Sequence, residues 1–382
     1  MVNYRLRIEQ DLAAVPTEVV GTAPSDQAFS PPRARWRVIL FLILAALGIG
    51  VFLLSLSWSS VAIPVDEIIR ILLGQEPERA AFRTIIVDIR LPRVLTAMLV
   101  GAALGMAGLQ MQTTFRNPLA DPFTLGVLSG ASFGAAITII FVPMFLSGIA
   151  ATDQFMAMGA LGNLSTVAGS TLGAAAILGL MLLLASQVRD MTIVLLAGLV
   201  VASLLEAIVT VFVFFADRER TRAFVEWGLG SFYRVRWDEM PFLATAVVTG
   251  LVVAWLTSKA LNSLLLGENY AQSMGLNIRQ SRLLILGSAS LMAGAVVAYC
   301  GPIGFLGIAV PHLARGLFGT SDHRVLVPAT ILIGMVLALA CGILAEVPGS
   351  AITLPLNAAT ALFGGPIALW ILFRMRKRGS IL

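Results

Sequence analysis

An all-α membrane protein with about ten transmembrane helices is the fold class that the sequence predicts, and three observations predict it. The 382 residues are 58% hydrophobic and only 12% charged, too few polar side chains to cover a water-soluble domain. Apolar runs such as Val38 to Leu56 and Ile331 to Ala345 are to be read against the ~20 residues that cross hydrocarbon, with shorter runs interrupted by Gly or Pro. These runs lack strand alternation, and a backbone in lipid must satisfy its hydrogen bonds internally, so helices follow.

Taken in order, the apolar windows are centred near residues 48, 103, 133, 176, 203, 250, 291, 309, 336 and 364. Residues 1–36 read as a flexible cytoplasmic tail, because Ala23 to Arg35 is rich in Pro, Ser and charge and has no periodicity. Residues 37–382 read as one transmembrane domain. The first run is too long for a signal-peptide core and has no convincing cleavage site, so it is expected to be a retained span. An even number of spans puts both termini on one side. With that side inside, Lys and Arg divide into roughly 16 inside and 10 outside. Arg33, Arg35 and Arg37 precede the first span, and Arg374, Arg376, Lys377 and Arg378 follow the last, so both ends are expected in the cytoplasm. The exported loops, about Ile63 to Arg93 and Asp217 to Glu239, mix Arg with Asp and Glu, which suits either docking of a soluble partner or local ion pairs.

Small residues recur at helical spacing. Gly101 and Gly105, then Gly126, Gly130 and Gly134, each lie one turn apart and would let neighbouring backbones approach closely. Met106-Ala107-Gly108 and Met292-Ala293-Gly294 form a faint internal echo, of the kind inverted repeats leave in transporters.

Several chemistries are excluded or set aside. Neither lysine follows a glycine, so there is no P-loop and the chain does not itself hydrolyse ATP. Cys300 and Cys341 fall in apolar runs and read as core residues, while two histidines, His312 and His323, do not build a metal site. No cofactor is expected in this chain, nor nucleic acid as a partner. Gly126-Val127-Leu128-Ser129-Gly130 with His312 as base could suggest an intramembrane serine protease, but the spacing does not fit, and a serine between glycines reads as packing. Glu206 is the one carboxylate deep in an apolar run, Leu195 to Phe215; it marks a pathway or proton site, or a hydrogen-bonded packing residue. As a proton relay it would make the chain an ion-coupled secondary transporter. Finally, Leu264 to Gly275 is an amphipathic stretch bounded by glycines on the inner side. It lacks a lysine-rich face, which argues for a protein partner over anionic lipid.

Specific motifs then resemble a family. Arg90-Leu91-Pro92-Arg93, Gly101-Ala102-Ala103-Leu104, Gly108, Gln110 to Gln112 and Asn117-Pro118-Leu119-Ala120-Asp121-Pro122 are similar to permeases that import iron siderophores, haem and cobalamin, the FecCD-like family of type II ABC importers. Leu266-Gly267-Glu268, Gly301-Pro302-Ile303-Gly304-Phe305-Leu306-Gly307, Val310-Pro311-His312, Asp322-His323-Arg324 and Gly364-Gly365-Pro366 follow in the same order. The resemblance implies ten helices per subunit in the plasma (cell inner) membrane and a second permease subunit, identical or paralogous. It also implies two ATPase subunits that bind ATP and Mg, and a periplasmic or lipid-anchored substrate-binding protein. Under it, Leu264, Leu265, Gly267, Glu268, Ala271, Met274 and Gly275 would seat the ATPase, and Arg90 and Arg93 would dock the binding protein. Met191 and Thr192 would fall at the cytoplasmic gate, with Gln110, Asn117 and Glu206 as pathway candidates. The chain departs from the family pattern at Glu346, where arginine is frequent, at Thr353-Leu354-Pro355-Leu356-Asn357, and at Glu206, where a small residue is usual.

Overall fold

The computed structural model describes residues 34–59, 61–146, 159–188, 190–346 and 353–377. The expected tail and Arg378 therefore lie largely or wholly outside the described residues. The helices are α1 Ala34–Ser57, α2 Val65–Leu72, α3 Ala80–Thr114, α4 Val127–Met144, α5 Gly159–Gln187, α6 Met191–Phe215 and α7 Arg218–Gly228. They continue as α8 Met240–Leu256, α9 Ser258–Leu265, α10 Glu268–Ser273, α11 Ile278–Cys300, α12 Leu306–Phe318, α13 His323–Ala345 and α14 Leu356–Lys377.

Each of the ten expected centres falls within a helix, but the helices are not ten full spans. Among the described residues, seven are long and apolar enough to cross alone, and α8 with α9, bent by 52°, makes an eighth. α12 has only 13 residues, about 20 Å of helix against a hydrocarbon core of about 30 Å. The expected exported loops also contain helix. α2 and α7 lie inside them, and α3 begins at Ala80, so Arg90 and Arg93 belong to the span.

α3 is the centre of the bundle. Its most apolar window is 83% buried, whereas that of α1 is 6% buried and faces outward almost throughout. Burial of a 35-residue helix on nearly all sides requires close neighbours, and glycine permits them. A methyl group added at Gly101 would collide with the Gly334 carbonyl of α13, and one at Gly108 with the Gly307 backbone of α12. α4 and α5 use the same device, with Gly130 against Gly173 and Gly134 against Gly169. Met106, Ala107, Met292 and Ala293 of the two echo triplets are fully buried, on the packed helices α3 and α11.

Contacts between helix ends define two faces. The terminal face, where α1 begins, also holds the end of α3, the α5–α6 turn, α9, α10 and the start of α13. The opposite face holds Ser55, Arg93, the α7–α8 segment and the start of α14, whereas the start of α12 lies between the faces, with Gly304 bonded to Asn357 and Gly307 against Gly108. Between α3 and α4, Asp121 caps the 3-10 turn Pro122–Leu125 by accepting a hydrogen bond from the Phe123 amide at 2.8 Å. It sits beneath Gly307, where an added Cβ would lie 2.8 Å from its Oδ2. Burial raises the Asp121 carboxyl to about 6, opposed by the Phe123 hydrogen bond.

Two outcomes are expected. Gly101→Val should push α3 from α13 and destabilise the protein by at least about 1–3 kcal/mol, whereas Gly287→Ala, with no atom within 4 Å, should be neutral or slightly stabilising. Thermal unfolding in detergent separates the two, and equal melting temperatures would contradict the packing described. For Asp121, the folded state holds its proton more tightly than the unfolded chain, so stability declines as pH rises between about 4 and 6. Asp121→Asn keeps the acceptor for the Phe123 amide and removes that slope. An unaltered pH profile of the melting temperature would refute this.

Candidate functional site: two faces joined through α3

On the opposite face, Arg90 and Arg93 are 2% and 4% exposed. The π-helical turn Ile85–Arg90 ends at Arg90, whose Nη1 donates to the Leu56 carbonyl at 2.5 Å and whose Nη2 donates to the Val61 carbonyl. Arg93 forms an ion pair with Glu346 at the end of α13 and donates to the Ser55 carbonyl at 2.7 Å. Its Nη1 also donates to the Tyr233 hydroxyl at 2.5 Å, and its guanidinium lies 5.0 Å from the Tyr233 ring centroid. Tyr233 in turn donates to Glu346 Oε1 at 2.8 Å. Neither arginine is presented to solvent in this conformation, because each is matched inside the chain. Tyr233 and Glu346 are the partners that sequence reasoning did not supply, although Glu346 was visible as a departure from the family pattern.

The second departure is also structural. Glu346 and Thr353 pair as an antiparallel bridge, and the Leu354 amide donates to the Ala345 carbonyl at 2.7 Å. Asn357 accepts from the Gly304 amide and donates to the Gly228 carbonyl, both at 3.1 Å, stitching α14 to the segments around α7 and α12. A cavity of about 190 Å³ lies here, bordered by Arg93, Tyr233, Gly342 and Thr353.

At the terminal face, polar side chains late in α3 reach several helices. Gln110 is fully buried and donates to the Ser288 hydroxyl of α11 at 2.8 Å, so it joins α3 to α11. Gln112 accepts from Arg315 of α12 at 2.6 Å. Thr113 lies 2.9 Å from Nε2 of His323, which is buried at the start of α13. Asn117 is exposed and accepts from the Leu119 amide at 3.0 Å, a local turn. His312 places Nε2 2.8 Å from the Pro118 carbonyl.

The amphipathic stretch forms the end of α9 and all of α10, broken at Gly267, whose φ of +116° suits glycine, and ended by Gly275 at +84°. Leu264 and Ala271 point into the bundle, while Leu265, Leu266, Tyr270 and Met274 are 43% to 64% exposed. The stretch is pinned to three spans. Arg116, held in the left-handed region at φ +49°, donates to the Leu264 carbonyl at 3.0 Å. Asn262 donates to Asp322 at 2.7 Å and accepts from the His323 amide at 2.8 Å. Glu268 accepts from Arg282 of α11 at 2.5 Å. Leu264 and Glu268 were singled out from sequence as part of the stretch, and Asp322 and His323 as part of a motif, but Arg116, Asn262 and Arg282 were not assigned to it. These three are ordinary polar residues whose partners lie far along the chain.

Met191 begins α6, capped by Asp190, whose side chain accepts from the Thr192 amide at 2.8 Å. Thr192 is exposed beside the terminal face. Glu206 is exposed midway along α6, beside exposed Ser203 and Thr210. Among the described residues, no group of three or more His, Cys, Asp or Glu side chains is placed to hold a metal ion.

Comparisons with known proteins agree with this arrangement. The model of the FecCD transport family matches residues 43–374. The hemin transport system permease protein HmuU of Yersinia pestis is 35% identical over 77% of this chain and 84% of its own length. The vitamin B12 import system permease protein BtuC of Klebsiella pneumoniae is 36% identical over 76% of this chain and 83% of its own. A metal-chelate type ABC transporter, solved in an inward-facing conformation, superposes with a TM-score of 0.73 at 26% identity, covering 88% of this chain and 99% of that one. With ten helices in the expected places, a buried α3 and a matched region that runs almost from α1 to the end of α14, the chain belongs to the FecCD transport family.

Proposed function

We propose that this chain is the permease subunit of an ABC importer for a metal chelate such as a ferric siderophore, haem or cobalamin. One observation carries the reading within the family. α9 and α10 are pinned to α3, α11 and α13, yet leave Leu265, Leu266, Tyr270 and Met274 uncovered on the terminal face. An apolar row on a braced element suits a soluble ATPase pressing from the cytoplasm, because its load would pass directly into three spans. ATP and Mg are bound by that partner, and this chain performs no covalent chemistry.

The terminal face is thus cytoplasmic, and the opposite face meets a substrate-binding protein. Arg90 and Arg93 reach such a partner only by releasing the contacts to Leu56, Val61, Ser55, Tyr233 and Glu346. The cargo crosses between two permease subunits by alternating access. Glu206 supports placing α6 along that route, since an exposed carboxylate at mid-span is costly against lipid and tolerable beside water. The same residue is what favours the second reading, an ion-coupled transporter.

Leu266→Asp and Met274→Asp should leave the permease folded, because both sites are exposed, and reduce ATPase co-purification by about ten-fold or more. Gly275→Pro should do the same by forbidding φ +84°. Unchanged co-purification in all three would remove the docking assignment. In proteoliposomes containing the ATPase and binding protein, uptake of a cognate chelate should require ATP and persist in Glu206→Gln. Uptake driven by a proton gradient alone, and abolished in Glu206→Gln, would establish the ion-coupled reading instead.

A further inference from the structure

The polar side chains of α6, Thr192, Ser203, Glu206 and Thr210, are all exposed and share one side of the helix. At about 100° per residue they fall within an arc of about 60°, which Leu196 and Leu199 share near the start. A second exposed side is apolar throughout: Ile193, Val200, Leu204, Ile208, Val211 and Phe215 lie about 120° round from the first. The third side, with Val194, Gly198 and Val209, is buried where α6 packs on α4. A helix with lipid on both exposed sides has no use for this division, whereas one standing between lipid and water requires it.

The hydroxyls on the polar side are satisfied by their own helix. Ser203 donates to the Leu199 carbonyl at 3.0 Å and Thr210 to the Glu206 carbonyl at 2.8 Å, so either could rest in hydrocarbon. The Glu206 carboxylate has no such outlet. It stands about 22 Å of helix from Met191 and about 14 Å from Phe215, and none of the described residues bonds to it or pairs with it. It is also the one Asp, Glu, Lys or Arg in α6, so no charge on that helix offsets it.

We propose that Glu206 sets the charge preference of the translocation route: the polar side of α6 lines water, and the carboxylate admits cationic metal chelates ahead of anionic ones. This rests on the ABC-permease reading and names the class of cargo within it. A lone carboxylate beside a narrow aqueous passage is poorly screened, because low-dielectric walls confine its field to the water between them. Cargo of like charge meets a barrier there, and cargo of opposite charge meets a shallow well, as at the charged constrictions of ion channels.

Single cysteines on the two exposed sides test this, since both native cysteines, Cys300 and Cys341, are buried. The assembled transporter in proteoliposomes, nucleotide-free and ATP-bound, is treated with a cationic trimethylammonium-ethyl or an anionic sulfonato-ethyl methanethiosulfonate. Each rate is divided by that of the same reagent with free 2-mercaptoethanol. In at least one of the two states, Thr210→Cys should react about ten-fold or more faster than Ile208→Cys, and should favour the cationic reagent about ten-fold. Adding Glu206→Gln should bring that preference to within about two-fold of unity. A carboxylate that only slowed formation of the thiolate would lower both rates together and leave their ratio at unity. Ser203→Cys, compared with Leu204→Cys, decides the matter if Thr210→Cys fails to assemble. Equal reactivity on the two sides, or a charge preference that survives Glu206→Gln, would overturn the proposal. Failure of the permease reading shows elsewhere, as uptake by the unaltered complex that needs no ATP, and it does not alter these ratios.

Discussion

The approach of α3 to its neighbours at backbone distance is the constraint on which the rest of the molecule depends. Gly101 lies against Gly334 and Gly108 against Gly307, so α3 contacts α13 and α12 with no side chain between them. In a lipid solvent the hydrophobic effect does little to bring helices together, and contact area between backbones takes its place. Close packing then brings the polar groups of α3 within reach of partners on several helices. Gln110 meets Ser288, Gln112 meets Arg315 and Thr113 meets His323 because the axes are near enough for short side chains to bridge them. A bulkier α3 would separate these pairs and leave buried donors unmatched, each at a cost of about 1–3 kcal/mol.

The two ends of α3 are treated differently. At the opposite face Arg90 is enclosed by carbonyls, and Arg93 by a carbonyl, a phenol and the one carboxylate that balances its charge, so both guanidinium groups are matched by acceptors within the chain. At the terminal face Arg116 grips a carbonyl of α9 while α9 and α10 turn an apolar row away from the bundle. One end is sealed by its own side chains, and the other presents an unfilled surface. That asymmetry is what a machine needs if it is driven from one side of a membrane and loaded from the other.

Much of this was legible in the sequence. Hydropathy located the ten helices, glycine spacing located the close contacts of α3 and of α4 with α5, and Leu264 to Gly275 was recognisable as an element with two faces. The limits of the spans were less legible, because Ala80 to Arg93 carries enough charge to resemble a loop while its backbone continues the helix. The side-chain pairings were not legible at all. Arg93 with Glu346, Arg116 with Leu264 and Asn262 with His323 are separated by more than 60 residues each, and no local pattern selects one distant partner over another. Burial of Arg90 and Arg93 was hidden for the same reason, since an Arg-rich motif reads as exposed until its matching acceptors are found.

The length of α3 has a mechanical corollary. Its 35 residues span roughly 50 Å, some 20 Å more than the hydrocarbon it crosses. The excess must tilt or stand clear of the bilayer, like a mast stepped through a deck. From the tip near Ala80 the helix runs through the π-helical turn Ile85–Arg90 and past Pro92 to Thr114, two residues before the arginine that clasps α9. The two ends of one helix are held in a single register, the first beside Ser55 and Tyr233 through Arg93, the second beside Leu264 through Arg116.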